Sequence, residues 1–122
     1  MILSHKYKYI FIKSFKTSSS SLEVALSQFC GDQDIITPLG YDEKIRSNDK
    51  KFKNPQNHNK TTKFWDHMSA SEIREKINHK IWNEYFKFVV VRNPFEQIQS
   101  AYYWHNMIKQ KSKKFFLFKK KK

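Results

Sequence analysis

Two short apolar segments, each followed by a polar loop and an amphipathic segment, constrain the fold of this chain most strongly. The first, YKYIFI over residues 7–12, is aromatic and β-branched and predicts a strand. The second, FKFVVV over residues 86–91, is nearly continuous and predicts a strand covered on both faces. Because strand, loop and helix alternate in α/β folds, we expect a small parallel sheet flanked by helices.

A helix is predicted after the first strand, over residues 22–29. Its apolar positions recur with helical spacing, and Gly31 predicts its end. Ser20 and Glu23 have the spacing of a capping box at its start. The polar segment that follows, residues 31–63, predicts a long irregular connection.

Two further helices begin with cap signals. Ser69 and Glu72 form a capping box that predicts a helix over residues 70–78. After the second strand, Asn93 suits the cap, Pro94 the first helical position and Glu96 a second capping box. The predicted apolar stripe of this last helix comprises Phe95, Ile98, Ala101, Tyr102 and His105. Two strands are too few for a stable sheet, so we expect an undetected strand or an incomplete fold.

The charge of the chain is concentrated at one end. The formal net charge is +13, and eight lysines lie in the C-terminal tail KQKSKKFFLFKKKK, residues 109–122, which leaves +5 for the rest. This low-complexity tail shows no helix or strand period, so we expect one folded domain over residues 1–108. Net charge alone would favour a nucleic-acid partner, but the interleaved basic and aromatic motifs of single-strand binders are missing, so no specific nucleic acid is expected.

Several functional classes find no support in the composition. Cys30 is the only cysteine, so no intrachain disulfide can form, and a buried thiol is the expected state. No Cys and His cluster has metal-ligand spacing, so no metal is expected. Without an apolar run of about 20 residues or a signal peptide, we expect no membrane span and a cytoplasmic location.

Both strand-to-helix junctions carry a cation where an anion could bind. Free N–H groups and the helix dipole favour anions at such junctions, and Lys16 lies in the first, before a run of hydroxyls at Thr17, Ser18, Ser19, Ser20 and Ser21. A polar turn with a helix cap explains this run equally well, and the two glycines of ATP-type phosphate loops are missing. Arg92 opens the second junction, as an anion ligand or in a salt bridge, and Ser100 lies two turns into the helix.

The segments FIKSFKTSSSSLE (residues 11–23) and FVVVRNPFEQIQSAYY (residues 88–103) resemble the two nucleotide-binding motifs of the sulfotransferase superfamily. The carbohydrate sulfotransferases are the most similar group, and FWDHMSASEI (residues 64–73) also resembles a family segment. The resemblance covers roughly residues 7–108. Family members are usually longer, so the resemblance implies a C-terminally truncated version of their fold, which is similar to that of P-loop NTPases.

The resemblance implies the donor 3′-phosphoadenosine 5′-phosphosulfate (PAPS), and an acceptor hydroxyl, in a carbohydrate by analogy. Lys16 and the amides and hydroxyls of residues 17–21 would hold the 5′-phosphosulfate, with Lys16 also stabilising the leaving group. Arg92 and Ser100 would hold the 3′-phosphate. This chain departs from the family loop in having Phe15 in place of a proline and Ser19 in place of a glycine.

Histidine suits a general base for attack by a hydroxyl group. His67 matches a histidine of the similar family segment, so it is the predicted base, with a structural or capping role as the alternative. Asp66 could orient its ring, and Glu23 is a second candidate base. Two alternatives to an active sulfotransferase stay open: a nucleotide-binding remnant of that fold without turnover, and, less favoured, a basic nucleic-acid-binding module.

Overall fold

The structure, a computed structural model, describes residues 1–40 and 49–119, with side chains described through residue 109. It divides into two compact units, Met1–Val90 and Val91–Lys122, called here the N-terminal and C-terminal units. Part of the predicted connection over residues 31–63 lies outside the described residues.

A four-stranded sheet forms the centre of the N-terminal unit. Its strands are β1 (Ile2–Ser4), β2 (Tyr9–Ile12), β3 (Ile35–Ile36) and β4 (Phe86–Val89), in the order β3-β1-β2-β4. β2 and β4, the two predicted strands, pair in parallel as expected. β1 is antiparallel to both β2 and β3, so the sheet is mixed and the prediction of a purely parallel sheet is wrong.

The two strands that the sequence did not reveal are short. β1 has three residues and β3 has two, too few to show a period of their own. β1 and β2 form a hairpin in which Ser4 pairs with Tyr9, and the turn between them places Lys8 in the left-handed region, with φ 53°. These strands complete the sheet that two strands alone could not stabilise.

Helices cover both faces of this sheet. Because successive strand residues point to opposite faces, Ile2 and Phe11 pack with Cys30 and Ile36 on one face, where helix α1 (Ser19–Ser27) adds half-buried leucines. The other face buries a second cluster, which comprises Met1, Leu3, Ile10, Phe64, Met68 and Ile73. The expected flanking of the sheet by helices is confirmed, and so is the burial of Cys30.

Helices α2 (Ala70–Lys76) and α3 (His79–Glu84) pack on the second cluster. The capping box that starts α2 is confirmed: Ser69 Oγ accepts a hydrogen bond from Glu72 N, and Glu72 Oε2 accepts one from Ser69 N at 2.7 Å. The predicted single helix over residues 70–78 ends at Lys76, and α3, which was not predicted, begins after Asn78. The side chain of Asn78 caps it by accepting from Lys80 N at 2.8 Å.

Helix α1 differs from its prediction in start, end and buried face. It begins at Ser19 after an N-cap, Ser18, whose side chain makes no capping hydrogen bond, so the predicted capping box of Ser20 and Glu23 is wrong. Its last residue is followed by Gln28, not by a left-handed Gly31. The buried positions of α1 are Ser19, Glu23, Val24 and Ser27, whereas Leu22 and Leu26 are half-buried and Ala25 is exposed.

Strand β4 is more exposed than its apolar sequence predicts. Phe86 is 70% exposed and Val89 is also exposed, so the expected burial of both faces is wrong. β4 pairs only with β2 in the described sheet and lies at its edge, which explains why an apolar strand retains this exposure.

The C-terminal unit contains helix α4 (Pro94–Lys119). Asn93 Oδ1 accepts from Phe95 N at 3.0 Å, which confirms the cap, and Pro94 is the first helical residue as predicted. Glu96 Oε2 accepts from Arg92 Nε at 3.1 Å, so its carboxylate binds this guanidinium. Most of the predicted apolar stripe is exposed, including His105. The helix continues into the C-terminal tail, where no helix was expected.

Candidate functional site

The loop between β2 and α1, residues 13–18, is attached to the end of the neighbouring strand. Ser14 Oγ donates a hydrogen bond to the carbonyl of Val90 at 2.6 Å, and Val90 directly follows β4. Because β2 and β4 are parallel, both strands end at this edge of the sheet. In open α/β sheets, ligands bind in the crevice outside the carboxyl ends of the strands.

Two of the predicted anion ligands have hydroxyl groups that close the loop. Ser19 Oγ donates to the carbonyl of Ser14 at 2.6 Å, and Thr17 Oγ1 lies 2.7 Å from Ser14 Oγ. The side chains of Thr17 and Ser19 are buried. Ser18 and Ser21 are exposed, and Ser20 is half-buried. The hydroxyls of Thr17 and Ser19 therefore stabilise the loop, while the other three serines have side chains that solvent or a ligand can reach.

The loop backbone has a conformation that favours a bound anion. φ is 57° at Lys16 and 60° at Ser18, and Thr17 between them has a negative φ. Alternation of left-handed and right-handed residues turns successive N–H groups toward one concavity, which binds anions. The loop leads into the positive end of the α1 dipole, and the first turn of α1 has no acidic residue to oppose an anion. The left-handed residues are Lys16 and Ser18, while Ser19, which stands where the similar family loop has a glycine, is helical.

A buried charge cluster, not predicted from the sequence, includes Lys13, the first residue of this loop. Lys13 Nζ, fully buried, is 2.8 Å from Asp66 Oδ1 and 3.3 Å from Glu23 Oε2. Glu23 Oε1 is 3.3 Å from the buried ammonium of Met1, which also donates to Thr37. Burial lowers the pKa of the Met1 ammonium, although the charges of Glu23 and Asp66 oppose this effect. Each buried charge in the cluster has an opposite charge beside it, as burial of ions requires.

The cluster changes the interpretation of Glu23. Its side chain is 0% exposed and is paired with two ammonium groups, so it does not face an acceptor and is not placed as a base. The same pairing explains why Glu23, and not a leucine, is fully buried on α1: its carboxylate has partners of opposite charge inside the unit.

His67 lies beside the loop. Its ring meets Phe15, the residue before Lys16, edge to face, with 5.8 Å between ring centroids. His67 Nε2 is 3.4 Å from Asp66 Oδ2, and the side chain of His67 is 38% exposed. Neighbouring side chains rarely converge in this way; here φ is 57° at His67, which departs from both strand and helix geometry. The structure thus brings His67 beside Phe15, in the loop that contains Lys16, although the two segments are far apart in the sequence.

Other histidines have different partners. His5 Nδ1 lies 2.9 Å from the hydroxyl of Tyr85, and His79 Nδ1 lies 3.0 Å from the amide of Asn83. These contacts anchor the β1–β2 turn and span one turn of α3. Neither of them involves the loop between β2 and α1.

Arg92 and Ser100 belong to the C-terminal unit. Arg92 precedes α4, and its ion pair with Glu96 is solvent-exposed at both ends. Of the two sequence interpretations of Arg92, a salt bridge or an anion contact, the salt bridge is therefore present in the structure. Exposed pairs of this kind are worth only about 0–1 kcal/mol, so an anionic ligand can compete for the guanidinium. Ser100 is half-buried within α4.

A model of the sulfotransferase family matches residues 1–121. The chain belongs to the sulfotransferase family. The searches of curated proteins and of solved structures found no match.

Sulfotransferase-family members typically use PAPS, and the loop of this sulfotransferase-family chain fits such a donor. The donor is polyanionic, and the loop offers two left-handed residues, Lys16 and Ser18, directly before a helix N-terminus, together with the charge of Lys16. Within the described residues no group of acidic, Cys or His side chains could hold a metal ion. In the same part of the chain, no helix has both the length and the apolar character that a membrane crossing requires.

Proposed function

We propose that this chain transfers a sulfuryl group from PAPS to a hydroxyl group of a carbohydrate acceptor. The observation that carries the proposal is the contact between His67 and the loop of Lys16, because it brings a base beside an anion-binding backbone. Family membership supports the reaction type. The carbohydrate acceptor rests on the resemblance of both motifs to those of carbohydrate sulfotransferases.

The donor would be held through its anionic groups. The N–H groups of residues 16–21 are the proposed ligands of the 5′-phosphosulfate, joined by the ammonium of Lys16 and the hydroxyls of Ser18, Ser20 and Ser21. Thr17 and Ser19 contribute through their N–H groups, since their hydroxyls bind within the loop. Arg92 and Ser100 are the proposed ligands of the 3′-phosphate, for which a guanidinium offers a fitting pair of donors.

Each residue has a chemical task in this proposal. PAPS supplies the sulfuryl group and a phosphate leaving group. His67 accepts the proton of the acceptor hydroxyl as the oxygen attacks, and an imidazole is suited to this near neutral pH. Lys16 holds a positive charge where negative charge grows on the leaving oxygen. Positioning and electrostatics supply the rate enhancement, as in phosphoryl transfer.

The test compares two histidine variants in a transfer assay. Radiolabelled PAPS is incubated with a set of polysaccharides, some carrying uronic acids and some neutral, and the label in polysaccharide is counted. Removal of a general base typically costs 10²–10⁴-fold in rate, so His67→Ala should lose about that factor. His79→Ala, which removes a histidine bound to Asn83 on α3, should keep full activity.

Binding of the product analogue 3′,5′-adenosine bisphosphate (PAP) to both variants provides the control. We expect unchanged PAP affinity in His67→Ala, because His67 is proposed to act on the acceptor. Transfer retained in His67→Ala would remove the base assignment. A folded wild-type chain that binds PAP but transfers no label to any polysaccharide would contradict the carbohydrate acceptor.

A further inference from the structure

Asp66 lies between a buried cation and the proposed base. Its Oδ1 and Oδ2 are 2.8 Å and 3.0 Å from Lys13 Nζ, and its Oδ2 is 3.4 Å from His67 Nε2. The side chain of Lys13 is fully buried, that of Asp66 is 24% exposed and that of His67 is 38% exposed. The three groups thus form a row that runs from the interior of the N-terminal unit to its surface.

We infer that Lys13 is a positioning residue for His67 and acts on it through Asp66. The catalytic consequence of this role rests on the proposed function, whereas the role itself concerns the orientation and the tautomer of one imidazole. No sequence motif assigned a role to Lys13, which directly follows β2.

The position of Lys13 is itself determined by its partners. Its ammonium pairs with Glu23 on α1 as well as with Asp66, and burial of the side chain leaves it no alternative solvated position. Asp66, held by two contacts to this ammonium, directs one oxygen at His67. Phe15 confines the ring from another side. The imidazole of His67 therefore contacts a carboxylate that is paired with Lys13 and the aromatic ring of Phe15. Lys13 and Phe15 both belong to the segment that follows β2.

This arrangement selects a tautomer. A carboxylate beside Nε2 favours a proton on that nitrogen, so Nδ1 becomes the nitrogen with a lone pair. Nδ1 is then the atom that takes the proton of an acceptor hydroxyl. The same logic operates wherever a carboxylate orients a catalytic histidine.

The experiment reads the imidazole tautomer of His67 from the ring ¹⁵N chemical shifts of the full chain at alkaline pH, where imidazoles are neutral. In wild type the proton should lie mainly on Nε2, which faces Asp66. The Nε2-protonated fraction should fall in Asp66→Asn, which removes the carboxylate charge, and in Lys13→Met, which leaves the carboxylate without the ammonium that holds it. His79, on α3, serves as the internal control and should show the same tautomer in every variant.

Removal of the Lys13 ammonium takes a cation from the buried Glu23 and from Asp66, so Lys13→Met is expected to be less stable than wild type. The double variant Lys13→Met/Glu23→Gln removes one charge of each sign, and its reference is Glu23→Gln alone. The Nε2-protonated fraction of His67 should be smaller in the double variant than in this reference. A purely structural role of Lys13 would change stability without changing the tautomer of His67.

Two results would overturn the inference. One is the same His67 tautomer ratio in wild type and folded Asp66→Asn; the other is the same ratio in Glu23→Gln and the double variant. PAP binding is measured on the same samples and reports on the proposed function. A chain that fails to bind PAP but shows these tautomer changes would retain the positioning role and lose the proposed donor.

Discussion

Asp34 should be one of the most sensitive positions for the stability of the N-terminal unit. Its buried carboxylate accepts four hydrogen bonds that join the β1–β2 turn to the segment after α1. Oδ1 accepts from His5 N at 2.7 Å and Lys6 N at 3.1 Å. Oδ2 accepts from Ser4 Oγ at 2.7 Å and Gly31 N at 2.8 Å. Asp34→Asn keeps the shape of the side chain and replaces one oxygen by a hydrogen-bond donor.

The magnitude follows from the donors that lose an acceptor. In either orientation the new NH₂ group faces two of the four donors, and a buried donor left unsatisfied costs about 1–3 kcal/mol. We therefore expect the free energy of unfolding to fall by roughly 2–6 kcal/mol. For a chain of this size that corresponds to a decrease in Tm of about 8–24 °C.

The effect should depend on pH in a defined direction. Burial alone would raise the pKa of Asp34, but the hydrogen bonds from Ser4, Gly31, Lys6 and His5 together lower it below its ordinary value of 3.8. A carboxyl group whose pKa is lower in the folded state stabilises that state above its unfolded pKa. This stabilisation is lost as the pH falls through the lower, folded pKa. The difference between wild type and Asp34→Asn should thus be constant above pH 3.8 and shrink at lower pH.

Urea unfolding of both proteins at pH 7 and at several values below pH 4 measures this difference. Asp32→Asn is the matched control, because Asp32 is an exposed neighbour that pairs with Lys53 at the surface, and it should leave the transition almost unchanged. Equal stability of Asp34→Asn and wild type at pH 7, or a difference that grows as the pH falls, would refute the reasoning.

Two further predictions concern the second proposed ligand site and a helix cap. Arg92→Ala should weaken PAP binding roughly 10- to 100-fold, which is the effect of one charge-assisted contact. The control Arg74→Ala removes an exposed arginine of α2 and should leave PAP affinity unchanged. Isothermal titration measures both affinities, and equal values would remove the 3′-phosphate assignment of Arg92. Ser69→Ala should lower the free energy of unfolding by about 1 kcal/mol, because it removes the capping box of α2; urea unfolding tests this, and a loss well below that value would show that the cap contributes little.

The sequence signals that predicted structure correctly were local ones. The capping box of Ser69 and Glu72 and the cap at Asn93 depend on residues a few positions apart, and both are present. The strands β2 and β4 were recognisable because their residues are apolar and β-branched. Strands β1 and β3 have too few residues for a pattern, and only their pairing across the sheet defines them.

The buried charge cluster could not be predicted from local sequence signals. Glu23 has the spacing of a capping residue, yet its carboxylate lies in the interior because Lys13 and the Met1 ammonium are there to pair with it. Nothing in the order of residues indicates that Lys13 and Asp66, 53 positions apart, are in contact. The loop of Lys16 and the proposed base His67 could be predicted from motifs, whereas their proximity required the tertiary structure.

The loop between β2 and α1 is the proposed binding site of the donor. Isothermal titration of PAP into wild type, Lys16→Ala and Lys8→Ala tests this assignment. Lys8 is a matched control, since it is also a lysine with a left-handed backbone, φ 53° against 57°, but lies at the opposite end of β2. We expect wild type and Lys8→Ala to bind PAP equally and Lys16→Ala to bind it roughly 10- to 100-fold more weakly. Equal affinity in all three proteins, or no binding by folded wild type, would contradict it.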